Sequence, residues 1–314
     1  LSESGPSRDF DAVVAFRSAI TELSASERQS ADLYRAHNNF GNFLLGRCQD
    51  QLYNHAFQMA SGIRHPLMTA LTGWMQACAQ YSEALEHASD PDQQAAIRIN
   101  QARLWALLAD ILRTLSHPTD KRHMFPAAIQ AASSRSQRLA ERVAHTQEAG
   151  QLTRAVAQEM LALLSYRQGE LGTAVNHAQR ALATYVDVGS LTGAESVYRL
   201  LGLCERARPD DGSTSRALNY FMTSEQLAQV LRERYPLDHF GLSRAGFFSR
   251  RAYVNEQIVD LLIADGHHAQ AVEHVERAEQ GAVLEQHAEL APDPHEVAVA
   301  HPGDLLAVDP DLTV

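Results

Sequence analysis

Cysteine is scarce in this chain: 314 residues hold three, Cys48, Cys78 and Cys204, far apart and with no CxxC pair among them. An odd, scattered set of thiols excludes a disulfide framework and a cysteine-based zinc site, and fits a reduced cytoplasmic protein. Runs rich in β-branched and aromatic residues, which would mark strands, are almost missing. No apolar stretch approaches the roughly 20 residues needed to span a bilayer, and no signal peptide opens the chain. A membrane partner is therefore not expected. The nucleotide cradles GxxxxGK[ST] and GxGxxG are absent, as are the GxSxG elbow and the HExxH zinc motif.

A basic surplus is also lacking. The formal net charge is -11 and the pI is near 5.7, whereas a protein that neutralises phosphates needs a cationic face. Nucleic acid is excluded as the default partner. The acidity is concentrated: no Lys or Arg follows Arg277, while Glu279, Glu285, Glu289, Asp293, Glu296, Asp304, Asp309 and Asp311 do. Ahead of them Arg232, Arg234, Arg244, Arg250 and Arg251 form a locally basic stretch.

What the chain has in quantity is Ala, Leu, Gln, Glu and Arg, all strong helix formers, with 45% of residues hydrophobic. An all-α class follows. A repeated unit is visible within it. In residues 151–186, a first helix ends at Gly169, the residue suited to a left-handed C′ position. A second helix then carries Ala174, Ala178, Ala181 and Leu182 on one face. Gly266 is followed at the same offsets by Ala271 and Ala278, and Ala77 and Ala84 repeat the seven-residue step. Small residues at these places let two helices approach closely. Leu201-Gly202 and Phe40-Gly41 supply a further small-residue step on first helices. Asp90-Pro91-Asp92, His117-Pro118-Thr119-Asp120, Pro209 and Pro236 punctuate the corners.

These units resemble tetratricopeptide repeats, loosely over residues 30–285. The resemblance implies a helical-hairpin solenoid of about twelve helices in five or six pairs, curving as a right-handed superhelix around a concave groove. The implied organisation is an N-terminal capping helix region (1–30), a repeat domain (31–290) and an acidic, Pro-containing tail or connector (291–314). Residues 269–290 further resemble the last repeat of tetratricopeptide proteins that carry a caspase-like CHAT protease domain, through Ala271, Glu276, Arg277, Ala278 and Leu284. That resemblance implies the repeat half of such a protein, with DPDLTV at the end of the connector and an effector domain covalently linked beyond it. The first residue, Leu1, is in keeping with a fragment or a processed chain.

No catalytic constellation is expected, and no cofactor or metal. His267, His268 and His274 are dense, and His267 and His274 lie two helical turns apart, but a metal site needs three or four converging ligands. His117, Asp120 and His123 flank a turn. Cys204 sits inside an apolar helical pattern, as a small core residue would. The expected function is recognition of a protein or peptide segment by the groove. Arg35, Asn38, Asn39 and Asn42 fall on one groove-lining helix, Asn100 and Arg103 on another, Tyr198 and Arg199 on a third. Arg offers a forked pair of donors and Asn both donates and accepts, a set suited to a peptide backbone or a carboxylate. It resembles carboxylate-clamp tetratricopeptide domains, without their lysines. Arg250 and Arg251 beside Phe240, Phe247, Phe248 and Tyr253 form a second platform, with Phe247 and Tyr253 expected in the core. Two rivals stand beside this reading: a small-molecule-sensing repeat domain of a transcriptional regulator, and a helical enzyme with an enclosed cavity.

Overall fold

The computed structural model describes residues 5–25, 30–58, 65–115, 125–208, 210, 212–234, 244–276 and 278. It is all-α, with no strand among them. The helices are α1 (Gly5–Ser24), α2 (Ser30–Gln58), α3 (His65–His87), α4 (Pro91–Leu115), α5 (Pro126–Ala144), α6 (Gln151–Arg167), α7 (Leu171–Asp187), α8 (Leu191–Arg206), α9 (Ser213–Arg234) and α10 (Arg244–Ala264). A further helical run covers 268–276. The 291–314 tail and the His117–Asp120–His123 turn lie outside the described residues.

Local sequence explains where these helices begin and end. Pro91 and Pro126 open α4 and α5, where a missing N–H costs nothing and the fixed φ suits a first turn. Ser190 caps α8 by accepting from the Gly193 amide. Gly169, at φ +79, closes α6: the Glu170 amide reaches back to the Ser165 carbonyl at 2.9 Å, and the chain turns into α7. Gly266, at φ +78, closes α10 in the same way, with His267 N donating to Leu262 O at 2.8 Å. Both bonds span five residues, the pattern that satisfies orphan carbonyls at a helix end when a residue without Cβ takes the left-handed region.

The chain divides into two compact units, the first running to Thr184 and the second beginning at Tyr185. In the first, consecutive helices pack on one another around Phe40, Leu44, Cys48, Ala77, Tyr81, Ala84, Ile97, Leu104 and Ile111. Phe16 of α1 stacks on Phe40 with ring centroids 5.2 Å apart. The approach is closest where glycine faces an aromatic ring: a Cβ on Gly41 would lie 2.6 Å from Tyr81 Cε1. Polar bonds lock the layers. Trp74 Nε1 donates to Leu104 O at 2.8 Å and Ser136 Oγ to Ala102 O at 2.7 Å. Asp92, at the start of α4, accepts from Gly150 N at 2.7 Å and Thr153 Oγ1 at 2.8 Å, so α4 caps α6 from a distance of 58 residues.

The second unit packs α8, α9 and α10 around Phe221, Ala217, Val254, Ile258 and Leu261. It repeats the first unit's device twice, with a Cβ on Gly193 lying 2.5 Å from the Tyr185 ring and one on Gly202 lying 2.8 Å from the Phe221 ring. Glu205, buried on α8, accepts from Arg208 Nη1 at 2.9 Å and from Arg216 Nε at 2.7 Å, and so ties the α8–α9 corner. Removing its carboxylate leaves two cations facing a buried position.

Two outcomes follow for stability. Gly202→Val forces a side chain into the Phe221 ring and lowers stability by about 1–3 kcal/mol, read as a drop in Tm by circular dichroism; an unchanged Tm would mean the ring does not sit on Gly202. Glu205→Ala lowers Tm more than Asp210→Ala, which removes only the outer partner of Arg216; the reverse order would place the corner's support on Asp210.

Candidate functional site

Among the described residues of the first unit, a groove of about 370 Å³ lies between α1, α2 and α3. Arg17 and Thr21 of α1, His37 and Phe40 of α2, and Gln76 and Gln80 of α3 line it. Phe40 is buried and supplies an apolar floor, while Arg17, Thr21 and Gln76 are exposed and supply a polar rim. His37 is buried too, and its Nδ1 lies 2.9 Å from Gln80 Oε1. A smaller, shallower hollow of about 320 Å³ runs along α1 past Val14, Ser18 and Glu22. The wall therefore offers one cation, several neutral donors and acceptors, and an aromatic floor.

Of the residues expected to grip a partner, Arg35, Asn38, Asn39, Asn42, Asn100 and Arg103 belong to the first unit, and none of these six is among the residues lining this groove. Arg35 is exposed, with 64% of its side chain accessible, and lies 3.9 Å from Asp32 of its own helix. Asn38 and Asn100 are corrected from groove-facing to internal: they are 6% and 4% exposed, and Asn100 Nδ2 donates to Asn38 Oδ1 at 3.1 Å, joining α4 to α2. Asn42 is half-buried and accepts from the Tyr81 hydroxyl at 2.8 Å. Asn39 and Arg103 are half-buried. In the second unit Tyr198 tilts against Tyr220 with centroids 6.2 Å apart. Arg199 bonds Ser196 Oγ at 3.3 Å and lies 3.7 Å from Glu195. Arg250 and Arg251 fall on α10, with their side chains outside the described residues, as are those of Phe247 and Phe248. Tyr253 is corrected from core to surface, at 42% exposed.

The histidine triplet does not converge. His267 is exposed beside Asp265, at 3.3 Å, whereas His274 is buried against Asn255, at 3.3 Å, and Glu225, at 3.9 Å. The residues that do converge were missed: His37 with Glu83 and His87. The readable half of that signal is the four-residue step from Glu83 to His87, which puts both on one face of α3.

The thiols are held in their protonated form. Burial pushes Cys48 up to about 12, and Cys78 and Cys204 up to about 11. Cys48 Sγ donates to Ala70 O at 3.3 Å. Near neutral pH all three stay protonated, which weakens them as nucleophiles. Among the described residues no helix is long and apolar enough to cross a membrane.

No protein-family model and no curated protein matches the sequence. Among solved structures the chain is similar to BtubC (BKLC) from P. vanneervenii, at 15% sequence identity and a TM-score of 0.48, over 91% of this chain and 97% of that one.

The thiol environments predict a pH response. Their folded pKa values lie above the unfolded value of 9.0, so the fold favours the protonated forms. That contribution is complete below about pH 9 and is lost as pH rises toward 11–12. Thiol labelling at about pH 8 is therefore expected to be far slower in the folded chain than in denaturant; equal rates would contradict the burial of Cys48 and Cys204.

Proposed function

We propose that the chain is a tetratricopeptide-type recognition module whose α1–α2–α3 groove takes an extended peptide segment bearing a carboxylate. The groove's make-up carries this reading. Arg17 supplies a charged donor at the rim, Thr21, Gln76 and Gln80 can match a peptide's own amides and carbonyls, and Phe40 offers a floor for one apolar side chain. Such a mixture of a few placed polar groups over an aromatic floor is what specific sites use. The helix-closing glycines and the alanines buried at the repeat offsets support the tetratricopeptide reading: Ala174, Ala181 and Ala271 are all buried. On the strength of residues 269–290 we place the module in a CHAT-type protease, as its regulatory half, in the cytoplasm. Binding would be passed to the linked domain through the helices that carry the groove.

The test is selection of peptides from a random display library on the immobilised chain, followed by fluorescence polarisation. Acidic peptides are expected to bind the wild type and to lose at least about tenfold in affinity with Arg17→Glu, one charge-assisted contact reversed. Arg35→Ala, which lies off the groove, is expected to have a smaller effect. Failure to enrich any peptide, or equal affinity for Arg17→Glu, would remove this reading.

A further inference from the structure

His37, Glu83 and His87 each offer a ligating atom, and the three atoms lie within 4.8 Å of one another. We infer that these side chains form a binding site for a divalent transition-metal ion of the zinc, nickel or copper type. Glu83 and His87 sit four residues apart on α3, and His37 projects from α2, the helix packed along it. Two imidazoles and one carboxylate are a donor set for those ions rather than for magnesium or calcium, which take oxygen.

The rings are already ordered. His37 and His87 stack at 5.9 Å between centroids and 12° between planes. His37 Nδ1 faces Gln80 Oε1 at 2.9 Å, and an amide oxygen only accepts, so Nδ1 carries the proton. The lone pair of the neutral ring is then on Nε2. Metal-bound histidines use their second nitrogen in this way, to fix tautomer and orientation. His177 makes the same kind of bond to Gln158 Oε1, at 2.7 Å, and although Glu141 and His145 are near enough to act on it, among the described residues it belongs to no such three-atom cluster. The amide bond alone is a packing device; the added Glu83 and His87 make the difference.

Ligand atoms around a tetrahedral zinc stand about 3.4 Å apart, given bond lengths of about 2.0–2.2 Å. The three atoms therefore have to draw together by at most about 1.4 Å on binding. Glu83 is exposed and His87 half-buried, so both side chains can move without disturbing the core. Three protein ligands leave at least one position to water, the arrangement of an open rather than a closed structural site.

The experiment is zinc titration of the full chain by isothermal calorimetry after chelator treatment, alongside cobalt(II) absorption. Wild type is expected to take one zinc equivalent tightly, with a cobalt spectrum free of thiolate charge-transfer bands. Glu83→Gln, His87→Ala and the orienting variant Gln80→Leu are each expected to weaken zinc by at least about tenfold, with unchanged circular dichroism. The control His177→Ala binds as wild type. The site is overturned if wild type takes no zinc, if cobalt reports thiolate ligation, or if Glu83→Gln and His87→Ala bind as tightly as wild type.

Discussion

Where two helices of this chain meet, they meet through residues with almost no side chain, and the rest of the structure depends on that close approach. Ala77, Ala84, Ala174, Ala178 and Ala181 are fully buried. Gly41 and Gly202 each form a notch filled by a ring, Tyr81 in one unit and Phe221 in the other. A ring pressed against bare backbone buries a large area per residue and lets two helices approach closely. Without these notches the aromatic residues would hold the helices apart and the aliphatic stripes beside them would pack less completely.

Close packing also governs the polar interior. Polar groups buried between packed helices need hydrogen-bond partners, and most of those here find one within the protein. Asn38 and Asn100 supply one another, Trp74 and Ser136 use backbone carbonyls, and Asp92 satisfies two donors at the start of α6. Glu205 meets two arginines. These bonds fix how one helix is set along its neighbour, which apolar contact leaves loosely specified. Asn38–Asn100 and Trp74–Leu104 tie α2 and α3 to the same helix, α4, so His37 and Gln76 sit on one framework.

Much of the architecture was legible beforehand, because it rests on local rules. Gly169 and Gly266 mark helix ends through backbone conformation, Asp90-Pro91-Asp92 marks an inter-helix corner, and the Gly–Ala–Ala offsets mark a small-residue face. Each follows from a few neighbouring residues. The site was less legible. Asn38 and Asn100 are polar residues on helices, and exposure is the usual fate of such residues. They are buried because each is the other's partner across 62 positions, which no local pattern encodes. Tyr253 failed in the opposite sense, as an aromatic beside apolar neighbours that nonetheless faces outward.

The sequence by itself determined the all-α class, the helix-turn-helix corners and the small-residue faces, since these depend on dihedral preference and on spacing within one helix. Only the tertiary structure decided which side chains share a place. It set Arg17 of α1 beside Gln76 of α3, gave Asp92 to the start of α6, and joined the Glu83–His87 step on α3 to His37, 46 residues earlier in the chain. Side-chain convergence depends on the rotation and offset between packed helices. Those follow from the sum of many contacts along both helices, and no single motif carries them.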